Sequence, residues 1–536
     1  YGIKIVEVSE KVQEEVKEAI ENMTDFVFPA NLSNISTSKG VLSGCKKLTK
    51  ITFPIVYCDI SHPESFLANS TFVNGLELPY TLNFTPMVSV DKQTGVEEIK
   101  QNEILKGSHV VGNLNIKAAT TNKCVVYVNK ETTSLVIYPA TVQGRFYLMD
   151  KGIEGDLSGL QTIQIGRSTN INDTDGFGSN TSANINLSLD FQSGNCTTKI
   201  PKNAFNGYSG NMIDVVIYGN VTDSNGITLE SGSFCNMPNM TKLPMTNSTS
   251  LKVVPENCMN NLASLTSATT GYVVDVEGCN DMPNLTTLRI ESSCEIVNGF
   301  NNCPKLKSLS FMSDGKVKEI GGLNNNAAIT TFYIPSMALS VSGVNNCSAL
   351  TTVVIGASLT SFTGFNNCPK LNKFTVDSSN TTFKVVDNNL YQGNKLCRVS
   401  MSKSDIVVAN GTTEIMSNAI QVTSVNSISI PNGCILANDS IKCQSVGQII
   451  FHTSLNTETG KYNNLTMTDF STLDNVQVGT IFAYGNGITD TTNANCLPVV
   501  KYCIEHNINY VDMNETNTNA RGAIGISGNA ELDGDN

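Results

Sequence analysis

A short frame recurs along this 536-residue chain and constrains its fold more than any single residue does. An apolar residue is followed by two variable residues and then by an alternating apolar pair. The clearest copy runs Cys368-Pro369-Lys370-Leu371 and continues to Phe374 and Val376. The same frame holds Leu350, Val353 and Ile355, preceded by Ile329, Phe332 and Ile334. Earlier copies hold Leu306, Leu309 and Phe311, then Leu285, Leu288 and Ile290. A poorer copy carries Leu262 and Leu265, and a good one Met240, Leu243 and Met245. The leading positions 240, 265, 285, 306, 329, 350 and 371 lie about 20 to 25 residues apart, within the range of leucine-rich repeats.

The alternation that ends each copy describes a half-buried strand of period two. One such strand cannot bury its apolar face alone. Stacked in register, successive copies build a parallel sheet over a continuous core. The expected fold class is therefore a β-rich solenoid, leucine-rich repeats stacking one parallel strand per ~21–25 residues. Gly343, Asn345, Gly364 and Asn366 supply turns between copies. The remaining stretches are too short and polar for a helix in each repeat, so loops or 3₁₀ turns are expected on the back.

Fainter copies extend the array: Cys45, Leu48, Ile51 and Phe53; Leu160, Ile163 and Ile165; Met212, Val215 and Ile217. Downstream come Val425, Ile428 and Ile430, then Cys443, Val446, Ile449 and Phe451. Between residues 54 and 200 the copies are too degraded to count. Both ends depart from the frame, as helical end caps over an open solenoid would. Residues 3–8 read as a strand, and 9–22 as a helix with Val12, Val16, Ala19 and Ile20 on one face. Residues 496–506 read as a second helix, with strand-like 508–511 after it. The expected organisation is a strand–helix cap (1–40), irregular β-rich repeats (41–200) and regular leucine-rich repeats (201–379). A hairpin-like insertion (380–410), further repeats (411–495), a helix–strand cap (496–513) and a flexible tail (514–536) complete it.

Charge narrows the function classes. The net charge is −12 and only 15% of residues are charged, so no basic patch is available to neutralise phosphates. Nucleic acid is not expected as a partner. No apolar run reaches the roughly 18–20 residues that span a bilayer, so no transmembrane segment is expected. The start at Tyr1 is taken as processed or trimmed.

The run from Asn380 to Tyr391, Asn-Thr-Thr-Phe-Lys-Val-Val-Asp-Asn-Asn-Leu-Tyr, followed by Asn394-Lys-Leu-Cys-Arg398, fits the pattern N-x-x-F/Y-x-x-x-D-x-x-L-Y. It resembles the strand-pair insertion of BspA-like leucine-rich repeats. Residues 499–508 look like that family's closing helix and strand, and Ala204-Phe205 and Ser233-Phe234 are partial copies of its Ala-Phe motif. The resemblance covers about residues 200–513. It implies a solenoid and a place among surface or secreted proteins used in adhesion and host interaction. It brings no catalytic residues.

Cys303, Cys347 and Cys368 share one repeat position with Asn326, Met282 and Leu262. A position that accepts all of these is a packing position, and most thiols are read as buried and free. Equivalent residues on adjacent strands lie roughly 4.8 Å apart, so a Cys347–Cys368 bridge remains open. Cys496, Cys503 and His506 lack the tight spacing of a zinc site, and the helix reading is preferred. The run Asn172 to Gly178 fails the calcium-loop template and is read as a turn-rich solvated loop. His62, His109, His452 and His506 are scattered, with no nucleophile elbow or phosphate loop. No cofactor and no metal are expected. Sequons such as Asn22-Met-Thr exceed chance too little to argue for glycosylation.

The candidate binding residues are the outward side chains of the repeat strands: Thr287, Arg289, Ser308, Ser310, Thr331, Tyr333, Thr352, Val354, Lys373 and Thr375. The expected function is non-enzymatic adhesion, or recognition of a protein or glycan on a host or neighbouring cell, at an extracellular or cell-surface location. The alternative is a self-associating subunit of an extracellular filament, surface layer or phage virion. An enzyme is a distant third.

Overall fold

A computed structural model describes residues 10–36, 40–85, 88–90, 93, 97–99, 102–120, 123–139, 146–166, 169–177, 181–191, 199–219, 228–249 and 251–514. The strand expected over 3–8 and the tail beyond 514 lie outside these residues. The chain divides into two compact units, Tyr1–Lys316 and Val317–Asn536.

In the first unit, strands Leu76–Leu78, Gly112–Ile116, Thr132–Ile137, Thr162–Ile165, Asn184–Phe191 and Met212–Gly219 pair in that order as a parallel sheet. A second parallel sheet takes Asn102–Ile104, Lys123–Val128, Phe146–Gly155 and Thr169–Thr174. From Asn102 to Phe191 these strands alternate along the chain between the two sheets, which is the path of a solenoid coil. Leu114, Leu135, Ile163 and Ile185 of one sheet and Cys124, Val126, Leu148 and Ile171 of the other are buried. The segment too degraded to count in the sequence is thus largely a parallel array, with register shifts in its ladders and one antiparallel pair, Val88–Val90 with Glu97–Ile99. The loop reading of residues 172–178 is corrected in part: residues 172–174 end a paired strand, where Asp173 lies 3.2 Å from Lys123. Gly178 lies outside the described residues.

Further along this unit, Ser267–Thr269, Thr287–Ile290 and Ser308–Phe311 form a parallel sheet. Leu265, Leu285 and Leu306 precede these strands and are buried. The back of each coil is not only loops and turns: Val253–Val254, Asp275–Val276 and Ile296–Val297 make a second ladder of two-residue strands. Their inward residues Val254, Val276 and Val297 are fully buried. Strands this short carry no legible alternation. The N-terminal helix, Glu10–Glu21, buries less than its apolar stripe suggests, for Val16 is 51% exposed and Ile20 only half-buried.

The second unit repeats the plan. Thr331–Tyr333, Thr352–Ile355 and Lys373–Val376 pair in parallel, and Ser340–Val341 joins Glu319–Ile320 to Ser361–Phe362 behind them. Phe383–Val386, Asn389–Gln392 and Lys395–Arg398 then form an antiparallel meander. A five-stranded parallel sheet follows: Asp405–Val407, Ser424–Ile430, Ser445–Phe451, Gln477–Ala483 and Asn509–Asp512. The helix Pro498–Glu505 buries Val499, Val500 and Cys503. The fold is a β-rich solenoid of leucine-rich repeats.

One turn sets the pitch. In Gly299-Phe300-Asn301-Asn302, Phe300 and Asn302 both take φ of 59°, a left-handed conformation that costs L-residues about 1–2 kcal/mol each. Full burial of the Phe300 ring offsets this by about 1.5–3 kcal/mol. The Asn301 amide donates to Asn280 Oδ1 at 2.8 Å, and the Asn280 amide donates to Asn260 Oδ1 at 2.9 Å. In the second unit Asn366 donates to Asn345 Oδ1 at 2.8 Å, and Asn345 to Asn324 Oδ1 at 2.9 Å. These rows close backbone groups that each turn would otherwise leave unpaired.

Candidate functional site

The strand register decides which candidate side chains meet. In the first unit Thr287 pairs with Ser308 and Arg289 with Ser310. All four are exposed, while Leu288 between them is buried. In the second unit Thr331, Thr352 and Lys373 form one row, and Tyr333, Val354 and Thr375 another. Lys373 and Thr375 are exposed, Thr331, Thr352 and Val354 are half-buried, and Tyr333 is 61% exposed. Each face is therefore two rows of side chains on a fixed strand scaffold.

At the first face Arg289 is held in place. Its Nε lies 2.9 Å from Glu291 Oε1, which also accepts from Thr269 Oγ1 at 2.9 Å. The Glu291 backbone amide donates to Thr270 Oγ1 at 2.9 Å, fixing the strand's end. Beyond it opens a cavity of about 670 Å³ lined by Thr269, Tyr272, Glu291, Ser292 and Asp314 among others. Ser292 Oγ donates to Asp314 at 2.6 Å, and Tyr272 is 51% exposed. Gly271 brings the chain to this rim with φ of 56°; a Cβ there would run into the Met245 carbonyl. Glu291, Tyr272 and Asp314 stand outside the alternation that picked the strand residues. An aromatic after a turn glycine was the available signal.

In the second unit, Met337 and Leu339 are also exposed, at 54% and 47%. They follow Tyr333 in the same repeat, and Leu339 leads into the back strand Ser340–Val341. Both are apolar residues off the repeat frame, a signal the frame-based reading passes over.

The cysteines are packing residues. All fifteen in the described residues are buried and free, and Met282, Leu262 and Asn326 at the shared position are equally buried. Burial pushes the Cys303, Cys294 and Cys397 thiols up to about 12, which keeps them protonated and poor nucleophiles. The Cys347 thiol donates to Asn345 O at 3.6 Å and the Cys368 thiol to Val344 O at 3.5 Å. The neighbouring Cys368 thiol raises that of Cys347, while Cys347 and then the Arg398 guanidinium lower that of Cys368. Arg398 is itself buried and donates to Gly364 O at 2.8 Å and Asn366 Oδ1 at 2.9 Å, so it ties the meander to the turn row.

The other sequence candidates do not assemble. Cys503 is buried, whereas the His506 ring stacks on Tyr502 at 4.0 Å and faces Asp474 at 3.6 Å. His62 pairs with Glu64 at 3.1 Å and His452 with Ser429 at 2.9 Å. Among the described residues no group of His, Cys, Asp and Glu has the arrangement of a metal site, and no helix is long and apolar enough to cross a membrane.

Residues 273–398 match the family described as BspA type Leucine rich repeat region, in six copies. This stretch is a BspA-type leucine-rich repeat region. Similar solved structures include a leucine-rich repeat protein from Eubacterium ventriosum, 13% identical with a TM-score of 0.27, covering 41% of this chain and 75% of that one. A leucine rich cell surface protein from Faecalibacterium prausnitzii is 11% identical with a TM-score of 0.25, covering 83% and 89%. A leucine-rich repeat protein from Bacteroides ovatus is 13% identical with a TM-score of 0.26, covering 67% and 79%. No curated protein matches the chain. BspA-type repeats point to a protein-binding or surface-associated role.

Proposed function

We propose that the chain is a non-enzymatic surface or secreted protein that adheres to a protein or glycan on a host or neighbouring cell through its exposed strand faces. The observation behind this reading is the register that lines up Thr287 with Ser308, Arg289 with Ser310, and Tyr333 with Val354 and Thr375. Rigid rows of outward side chains make a preorganised contact surface, which loses little entropy on binding. Tyr333 and Arg289 are the residue types that most often anchor interfaces. Labelled protein applied to epithelial cells, read by flow cytometry, tests it. Arg289→Ser and Tyr333→Ala should each weaken binding at least tenfold with unchanged melting temperature. Cell binding indifferent to both substitutions would sink the strand-face reading.

One observation favours the alternative of a filament, layer or virion subunit. Asn509–Asp512 ends its sheet, and an end strand can pair with a neighbouring copy. Light scattering at micromolar concentration separates the two readings: a stable monomer removes the self-assembling subunit, and spontaneous polymers remove the simple adhesin.

A further inference from the structure

We infer that a second site, separate from the strand faces, sits in the C-terminal unit and takes an uncharged saccharide. It is a cavity of about 870 Å³ beside the hairpin Leu455–Asn456 and Lys461–Tyr462. Its lining is dominated by carboxamides, Asn456, Asn464, Asn486 and Asn514, together with Tyr462 and Lys461.

The walls are fixed before any ligand arrives. Asp512 accepts from the Gly485 and Gly487 amides, both at 2.9 Å. A Cβ on Gly485 would strike the Tyr510 hydroxyl and the Asp512 carboxylate, so the backbone lies tight against them. Asn514 Nδ2 donates to Tyr462 O at 2.9 Å and to Gly485 O at 3.0 Å, which straps the hairpin to that wall. Asn486 is held by Asn495 O and by the Ile488 amide, at 2.9 and 3.2 Å. Tyr462 stacks on Tyr484 at 4.3 Å between ring centroids, which fixes the plane of the ring that lines the cavity.

Two groups are held in reserve. The exposed Asn464 carboxamide and Lys461 Nζ make no intramolecular hydrogen bond among the described residues, although both line the cavity. A carboxamide both donates and accepts, which matches a sugar hydroxyl better than it matches an ion. The lining carries one cation, Lys461, and one anion, Asp512. Their charges cancel, so the cavity has no excess of either sign to select a phosphate, a sulfate or an acidic sugar. A flat aromatic beside several amides suits the apolar face and hydroxyl rim of a pyranose ring.

The test uses the whole chain and does not depend on cell adhesion. Saturation-transfer NMR and calorimetry with cellotriose, maltotriose, lactose and N-acetyllactosamine are compared with 3′-sialyllactose. At least one neutral sugar should bind. Asn464→Ala should weaken it at least fivefold, and Tyr462→Ala should abolish it. Asn464 is exposed, so its variant stays folded even where loss of Tyr462 loosens the hairpin. Arg289→Ser should leave this binding unchanged while it weakens cell adhesion. The inference is overturned by no saturation transfer from any neutral sugar, by binding that survives both variants, or by binding of the sialylated sugar alone.

Discussion

Residues 102–219 and 253–311 solve the same stacking problem at different pitch. In the first stretch, groups that meet across neighbouring coils stand 19, 27 or 28 residues apart, as in Val110 with Asn129, Thr120 with Tyr147 and Ser134 with Thr162. Register shifts interrupt its ladders between Cys124 and Val126, between Tyr147 and Met149, and between Ile185 and Asn186. In the second stretch the separations hold at 20 to 22 residues, as for Thr286 with Thr266, Asn284 with Ala263 and Ser292 with Asp314. With constant pitch each residue faces its own equivalent, so one good contact is copied from coil to coil. With uneven pitch the extra residues go into bulges, and each coil closes its polar groups by its own means. Thr132, for example, donates to Val110 O at 3.0 Å. The regular stretch should therefore be the more vulnerable to any change that offends the copied contact.

The largest expected effect comes from the buried thiols of the regular stretch. Burial pushes Cys258, Cys294 and Cys303 up to about 12, against an ordinary value near 9. Between those values the unfolded chain has released these protons and the folded chain still holds them. Stability is thus intact below about pH 9 and falls as pH rises towards 12. Each thiol adds to that fall by on the order of 1 kcal/mol per pH unit. Urea unfolding under reductant at pH 8, 9 and 10 should show a steep fall. The triple Cys→Ala variant should lose their share of the slope while buried thiols such as Cys397, Cys434 and Cys503 keep theirs, and hydrogen exchange should accelerate sooner over 253–311 than over 102–219. A wild-type slope retained by the triple variant breaks the account.

Legibility in the sequence follows the same divide. Leu285, Leu288 and Ile290 were readable as core, and the outward Thr287 and Arg289 as surface, because a copied contact leaves a copied residue type. Between residues 54 and 200 only the copy with Leu160, Ile163 and Ile165 is legible, for the apolar residues around it recur at changing intervals. The back strands escaped for another reason: two residues, such as Ile296–Val297, cannot show an alternation. Nor could the frame find Glu291 or Tyr272, which gain their place only when Gly271 turns the chain beside Met245. The hairpin cavity is a product of Asn514 reaching Tyr462 across 52 residues, a contact no local pattern encodes.

A smaller effect is expected from the glycines. A Cβ at Gly299 would run into the Gly278 carbonyl of the preceding coil, so the two turns must separate. Gly299→Ala should cost about 3 kcal/mol, the upper end of overpacking. Gly207, with φ of 74° and open space around it, should cost only about 1–2 kcal/mol on change to Ala, for the left-handed backbone alone. Denaturant melts of the two variants measure the gap. Equal losses would mean that coil spacing is not set by the glycine contact.

The smallest effect isolates a single copied hydrogen bond. Asn280 Oδ1 accepts from the Asn301 amide at 2.8 Å and from its Nδ2 at 2.9 Å. Asn280→Ala removes that acceptor from the half-buried Asn301, at a cost of about 1 kcal/mol. Asn280→Asp keeps the acceptor oxygen and should recover most of the loss. Asn186, exposed on a strand of the uneven stretch, should change stability by less than about 0.5 kcal/mol when replaced by Ala. Amide exchange at Asn301 is the decisive readout, since it should quicken in Asn280→Ala and return in Asn280→Asp. If it stays slow in both, packing of Phe300 rather than the asparagine row holds the turn, and constant pitch owes its stability to the apolar core alone.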